Sequence, residues 1–220
     1  MIRRRFLGLA AAATSSALLA RLSSLRAYAA PQPDLRFRAL HRGSQVGEHR
    51  VTFRQHGDRL IVGTQVNITI KILFFTVFRF KHRAEEIWQS KRLVSVKSTT
   101  DDNGTMLQVS GYAAKDGFRM LGNDGPFLAS AQLLTSNSLW NSAIVREGRL
   151  IDIQHGYEVG LVVKRLGDEQ VDTPEGQVRT SRYQLITPHY AGSVFYDSNG
   201  RWVKGLIEEK GEIVEYALAA

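Results

Sequence analysis

The sequence predicts a mainly β chain: one strongly curved antiparallel sheet or incomplete β-barrel, with at most one or two short helices. Three features lead there. Apolar and polar residues alternate with period two through most of the length, as in strands with one wet face. Asn103-Gly104 and Asn199-Gly200 are the Asn-Gly pairs of tight hairpin turns. Residues 61–80 keep one apolar face over a run that would reach about 60 Å unbroken, so it either bends sharply or is two strands.

The alternation begins with Leu35, Phe37, Ala39 and His41 set against Arg36, Arg38 and Arg42. After a turn at residues 43–47, His49, Val51 and Phe53 share one side and close a hairpin. In the long run Val66, Ile68, Ile70, Ile72, Phe74, Phe78 and Phe80 form the apolar face. Leu73, Phe75 and Val77 make the opposite face apolar as well, which predicts a cover there: a helix, a loop, a ligand or a second chain.

Strands at residues 93–100 and 106–113 flank Asp101-Asp102-Asn103-Gly104, a turn rather than a calcium loop, since the spaced oxygen ligands and closing Glu are missing. Residues 125–140 leave the pattern. Phe127, Leu128, Ala131 and Leu134 are spaced like a helical face after Pro126, and the expectation is a short helix capping the sheet. Strand signals resume at residues 150–153, 157–165, 177–187, 194–197, 202–207 and 212–218, for about ten strands in all.

The first residues stand apart. Arg3, Arg4 and Arg5 precede Phe6 and Leu7, an Ala-rich apolar stretch and Ala27-Tyr28-Ala29. Charged region, apolar region and small-x-small site in that order make a signal peptide, and R-R-x-F-L is the twin-arginine type. The expectation is a leader over residues 1–29 cleaved near Ala29, one β domain over 30–220, and a periplasmic or secreted protein that meets the twin-arginine translocase during export. A membrane anchor is the alternative, but residues 6–22 are interrupted by Thr14, Ser15, Ser16 and Arg21 and fall short of roughly 20 apolar residues.

Charge follows from that reading. Arg3, Arg4, Arg5, Arg21 and Arg26 leave with the leader and take no acidic residue, so 29 Lys+Arg against 21 Asp+Glu becomes 24 against 21. This weak, dispersed surplus is no phosphate-binding footprint, and no nucleic-acid partner is expected. With no cysteine, disulfides, thiol catalysis and thiolate metal sites are excluded, and stability rests on the core.

Chemistry is sparse. His41 and His49 lie on the apolar parity of neighbouring strands, where they line a pocket or make half a zinc site with no carboxylate of matching parity nearby. His56 and His155 read as turn residues and His82 as part of a solvated basic rim. Asp152 and His155 are three apart at a strand end, where their side chains need not converge. Glu85 and Glu86 face opposite ways and cannot act as a pair. Nucleophile elbows, phosphate loops and metal-ligand spacings are missing, so no catalytic residue, metal or cofactor is expected.

Glu86, Trp88, Leu93, Thr100, Asp102 and Gly104, then Trp140-Asn141, Leu150-Ile151-Asp152, Tyr183 and Phe195-Tyr196-Asp197, resemble the exported bacterial proteins of the DUF6134 family, of unknown function. The likeness spans residues 35–218. That family is distantly similar to the DUF3108 group and to periplasmic lipoprotein-carrier folds, whose curved sheets hold acyl chains. The resemblance implies a non-enzymatic carrier with an apolar, lipid-like ligand along Val66, Ile68, Ile70, Ile72, Phe74, Phe78 and Phe80, rimmed by His41, His49, Trp88, Trp140 and Trp202. Two other classes stay open: an envelope interaction module or homo-oligomer docking through Leu73, Phe75 and Val77, and a hydrolase built on His41 or His49.

Overall fold

In the computed structural model, which describes residues 32–72, 75–209 and 212–219, one antiparallel sheet of 13 strands carries the fold. The strands are β1 (Leu35–His41), β2 (Ser44–His56), β3 (Arg59–Ile72), β4 (Phe75–Gln89), β5 (Arg92–Asp102), β6 (Thr105–Ala114), β7 (Gly117–Gly122) and β8 (Gly125–Ala129). After β9 (Arg149–Asp152) and β10 (Tyr157–Gly160) come β11 (Val162–Thr173), β12 (Gly176–Ile186), β13 (Ala191–Asp197), β14 (Trp202–Glu209) and β15 (Glu212–Leu218). The sheet order is β11-β12-β13-β14-β15-β1-β2-β3-β4-β5-β6-β7-β8, while β9 and β10 pair separately. The sheet is curved and stays open, with β11 and β8 at its two edges.

Period-two alternation becomes alternating burial. Leu35, Phe37 and Ala39 are buried while Arg36 and Arg38 are exposed, and Val51 and Val62 are sealed from solvent. The long apolar run is two strands, β3 and β4, which return on each other with Ile68 opposite Phe80 and Ile70 opposite Phe78. Asn103 and Gly104 both take positive φ, 53° and 95°, as an Asn-Gly hairpin turn requires.

The concave side is filled by the segment between β8 and β11. It carries two short 3-10 turns, Ser138–Trp140 and Ser142–Arg146, and the β9–β10 pair. Leu134, Leu139, Ile144, Leu150, Ile151 and Ile153 pack from it into the core. The helix expected over residues 125–140 is absent: Gly125–Ala129 is a strand paired to β7, with Phe127 and Leu128 exposed. The helix-like spacing there was coincidental, and sheet pairing overrode it. Likewise residues 157–165 divide between β10 and β11.

The expected leader over residues 1–29, with Leu73 and Phe74, lies outside the described residues. Among the described residues no helix is long and apolar enough to cross a membrane.

Candidate functional site: an apolar cavity with a histidine wall

Register places the site. Phe37, His49, Val66, His82 and Thr100 fall opposite one another from β1 to β5 and make one row across the concave face. Val66 of that row, with Ile68 and Ile70 further along β3 and Phe78 and Phe80 on β4, borders a cavity of about 910 Å³. The Phe78 and Phe80 rings lie parallel at 6.4 Å, and Phe80 and His82 continue the ladder at 6.2 Å. Leu139, Ile207, Val214 and Tyr216 add apolar wall, and the volume suits a small-molecule pocket.

Polar groups enter this wall at two places. His49 is buried among Phe37, Trp202 and Tyr216, and neither ring nitrogen has a hydrogen-bond partner. Burial, with the nearby His82 a lesser cause, pushes its imidazole down to about 3, so it is neutral. His41, also on the cavity, is 2.7 Å from the Glu212 carboxylate of β15, which Arg42 meets as well. His41 and Arg42 hold Glu212 below the usual carboxylate range. No carboxylate of matching parity is expected near His41 and His49; the sheet supplies Glu212 to His41, 171 positions away in the chain but on β15, which lies beside β1. His41 and His49 are not joined, since His49 sits opposite Phe37, four residues or about 13 Å along β1 from His41.

The second polar place is built from two turns. After Asp152 ends β9, the chain folds back so that the Gly156 N–H donates to the Asp152 carbonyl, with Gly156 at φ 95°. The Asp152 Oδ1 accepts the backbone N–H groups of Gln154 and His155, and Oδ2 lies 2.8 Å from His155 Nδ1. Asp152 and His155 therefore do converge. From the β12–β13 turn, His189 stacks on His155 at 4.5 Å and places Nε2 4.0 Å from the same oxygen. The Tyr157 hydroxyl is 2.8 Å from that nitrogen.

Burial works to raise the Asp152 carboxyl, but its hydrogen bonds and the neighbouring His155 hold it below the usual range. The hydrogen bond to Asp152 in turn raises His155. Asp152, His155 and His189 all border the cavity, as does Tyr190, whose hydroxyl is buried without a partner. The two histidines and the carboxylate offer three donors to a cation.

The remaining sequence-derived residues divide. Ile72 ends β3, and Val77 borders the cavity half exposed. Trp88, Trp140 and Trp202 are no rim. Each is buried: Trp88 packs edge-on against Trp140, Trp140 against Phe53, and Trp202 lies 4.2 Å from Phe37. Nor is His82 solvated. It shares the inward parity of Phe78 and Phe80, holds Thr100 and Asn137 at 2.8 and 2.7 Å, and burial lowers it to about 4 despite Asp152.

Glu86 is the other missed group. Sealed inside, it accepts from Trp88 Nε1 at 2.8 Å and Thr135 Oγ1 at 2.5 Å, tying β4 to the filling segment. Burial pushes it up to about 7, against the pull of both hydrogen bonds. No local spacing announces these contacts; only the shared even-numbered parity of His82 and Glu86 hinted at inward placement.

Comparison with known proteins agrees with this architecture. The structure is similar to the crystal structure of a beta-barrel-like protein of the domain of unknown function DUF1849 from Brucella abortus, with a TM-score of 0.61 at 8% identity, covering 84% of this chain and 94% of that one. This likeness concerns the fold alone. No curated protein matches. The family model for the domain of unknown function DUF6134 matches residues 37–219, and the chain belongs to that family.

Proposed function

We propose that the protein is an exported, periplasmic or secreted, non-enzymatic binder or carrier of an apolar, lipid-like molecule. The observation that carries this reading is the cavity of about 910 Å³ walled by Val66, Ile68, Ile70, Phe78 and Phe80. A fourteen-carbon chain buried there would contribute on the order of 10 kcal/mol at about 0.8 per methylene, enough for affinity after ordering costs. His49 fits an apolar occupant, because its neutral ring is packed among Phe37, Trp202 and Tyr216 and brings no charge to the cavity wall. The twin-arginine-type leader supports export.

The test is organic extraction and native mass spectrometry of the purified protein. An apolar molecule is expected with the wild type, and at least about ten-fold less with Phe80→Glu, a loss of about 1.4 kcal/mol. Repeated recovery of nothing apolar by both methods overturns the reading.

A second reading, an envelope module or homo-oligomer docking through Leu73, Phe75 and Val77, is favoured by the exposure of Val77, 51%, beside the end of the β3–β4 hairpin. Light scattering that returns a strict monomer at all concentrations removes the homo-oligomer.

A further inference from the structure

We propose that Asp152, His155 and His189 form a divalent-cation site in the cavity wall, with donors suited to Zn²⁺. Two imidazoles and a carboxylate are ligands that zinc accepts, and three protein ligands with one open position are the pattern of a reactive or ligand-binding zinc rather than a closed structural one. The donor atoms of the three residues all lie within 4.8 Å of one another. Oδ2 of Asp152 stands 2.8 Å from His155 Nδ1 and 4.0 Å from His189 Nε2. These separations bracket the roughly 3.3 Å expected between ligand atoms of a tetrahedral ion with bonds of about 2.0 Å.

The site is also held in advance. Asp152 is buried, and two backbone N–H groups occupy its Oδ1, leaving Oδ2 for the ion. The imidazoles are stacked with planes 30° apart. Asp102 and Asp124 stand close enough to act on His155, and they add negative potential where a cation would sit. An Asp–His relay for nucleophilic catalysis is less well provided for. The hydroxyl at His189 is the Tyr157 phenol, and burial raises Tyr157 above its ordinary value.

Because all three residues border the cavity, the open position is reached from it and is taken by water or by a polar group of the occupant. The site stands whether or not that occupant is a lipid.

The experiment is titration of the chelator-stripped protein with Zn²⁺ by calorimetry and with Co²⁺ by visible absorption. One ion per chain is expected, with the d–d bands of a low-coordinate Co²⁺. His155→Ala and His189→Ala should each weaken binding at least about ten-fold, since even an outer-shell partner is worth about 10–100-fold. His56→Ala, at an exposed strand end, should leave it unchanged. Asp152 also shapes its turn, so the histidine variants, checked for folding by circular dichroism, are the decisive ones. No uptake of either ion, or uptake at undiminished affinity in both histidine variants, overturns the proposal.

Discussion

Glu86 and His49 are ionisable groups stored in the interior, and they pull the pH dependence of stability in opposite directions. The folded-state value of Glu86, about 7, is above its ordinary 4.5, so the folded protein binds the extra proton. Its contribution is whole below about pH 4.5 and is lost as pH rises through about 7, worth roughly 3 kcal/mol at 1.36 per unit. His49, lowered to about 3, does the reverse: its stability is present above about 6.5 and is lost as pH falls toward 3. Glu86→Gln cannot ionise. Its stability relative to wild type should therefore improve by up to roughly 3 kcal/mol between pH 4.5 and pH 8 in urea unfolding; an unchanged difference would show that Glu86 does not titrate in that window. The inward placement of Glu86 could be read from parity, but its partner Thr135 could not, because that contact spans 49 positions. The tryptophans misled because an aromatic near a turn looks the same in sequence whether it rims a pocket or fills a core.

At the scale of elements, the β1–β2 hairpin shows why one strand needs a glycine inside it. Gly47 lies opposite Ile68, and a Cβ there would come within 1.9 Å of the Asn67 carbonyl oxygen. The β1–β2 register also shifts between Ala39 and Leu40, beside this contact. Gly47→Ala should destabilise by about 1–3 kcal/mol, read as a lower urea midpoint, and should disturb His41 and His49 through the same hairpin. Strands such as β1, β2 and β5 were legible because their alternation is local. The β8 strand was not: an edge strand with exposed Phe127 and Leu128 has no inner face to announce, and only pairing with β7 defines it. The Asp152 turn was hidden for a related reason, since His189 arrives from a different hairpin.

For the whole molecule, a curved apolar sheet could be inferred from the rhythm of residues 61–80, whereas the filling segment could not. Its residues read as a short capping helix and two further strands, with nothing to say that they fold inside the sheet, and it is held there by polar contacts: Ser98 donates to the Ile153 carbonyl, and Tyr196 to the Leu139 carbonyl at 2.7 Å. The filling reduces the concavity to the cavity that remains on one side, beside β15, β1, β2, β3 and β4.

The strand order carries a temporal consequence. β1 and β15 are neighbours in the middle of the sheet, with Phe37 opposite Leu218 and His41 opposite Val214. A nascent chain leaving the ribosome therefore holds two half-sheets with a missing seam until β15 emerges, and such distant pairing is slow to form. Joining residues 35 and 218 by a short linker and opening the chain at the exposed residues 130–132, between the two sheet edges β8 and β11, would convert that seam into an ordinary hairpin and leave every pair of sheet neighbours consecutive in the chain. The permuted protein should refold faster than the natural order in stopped-flow experiments while keeping the cavity.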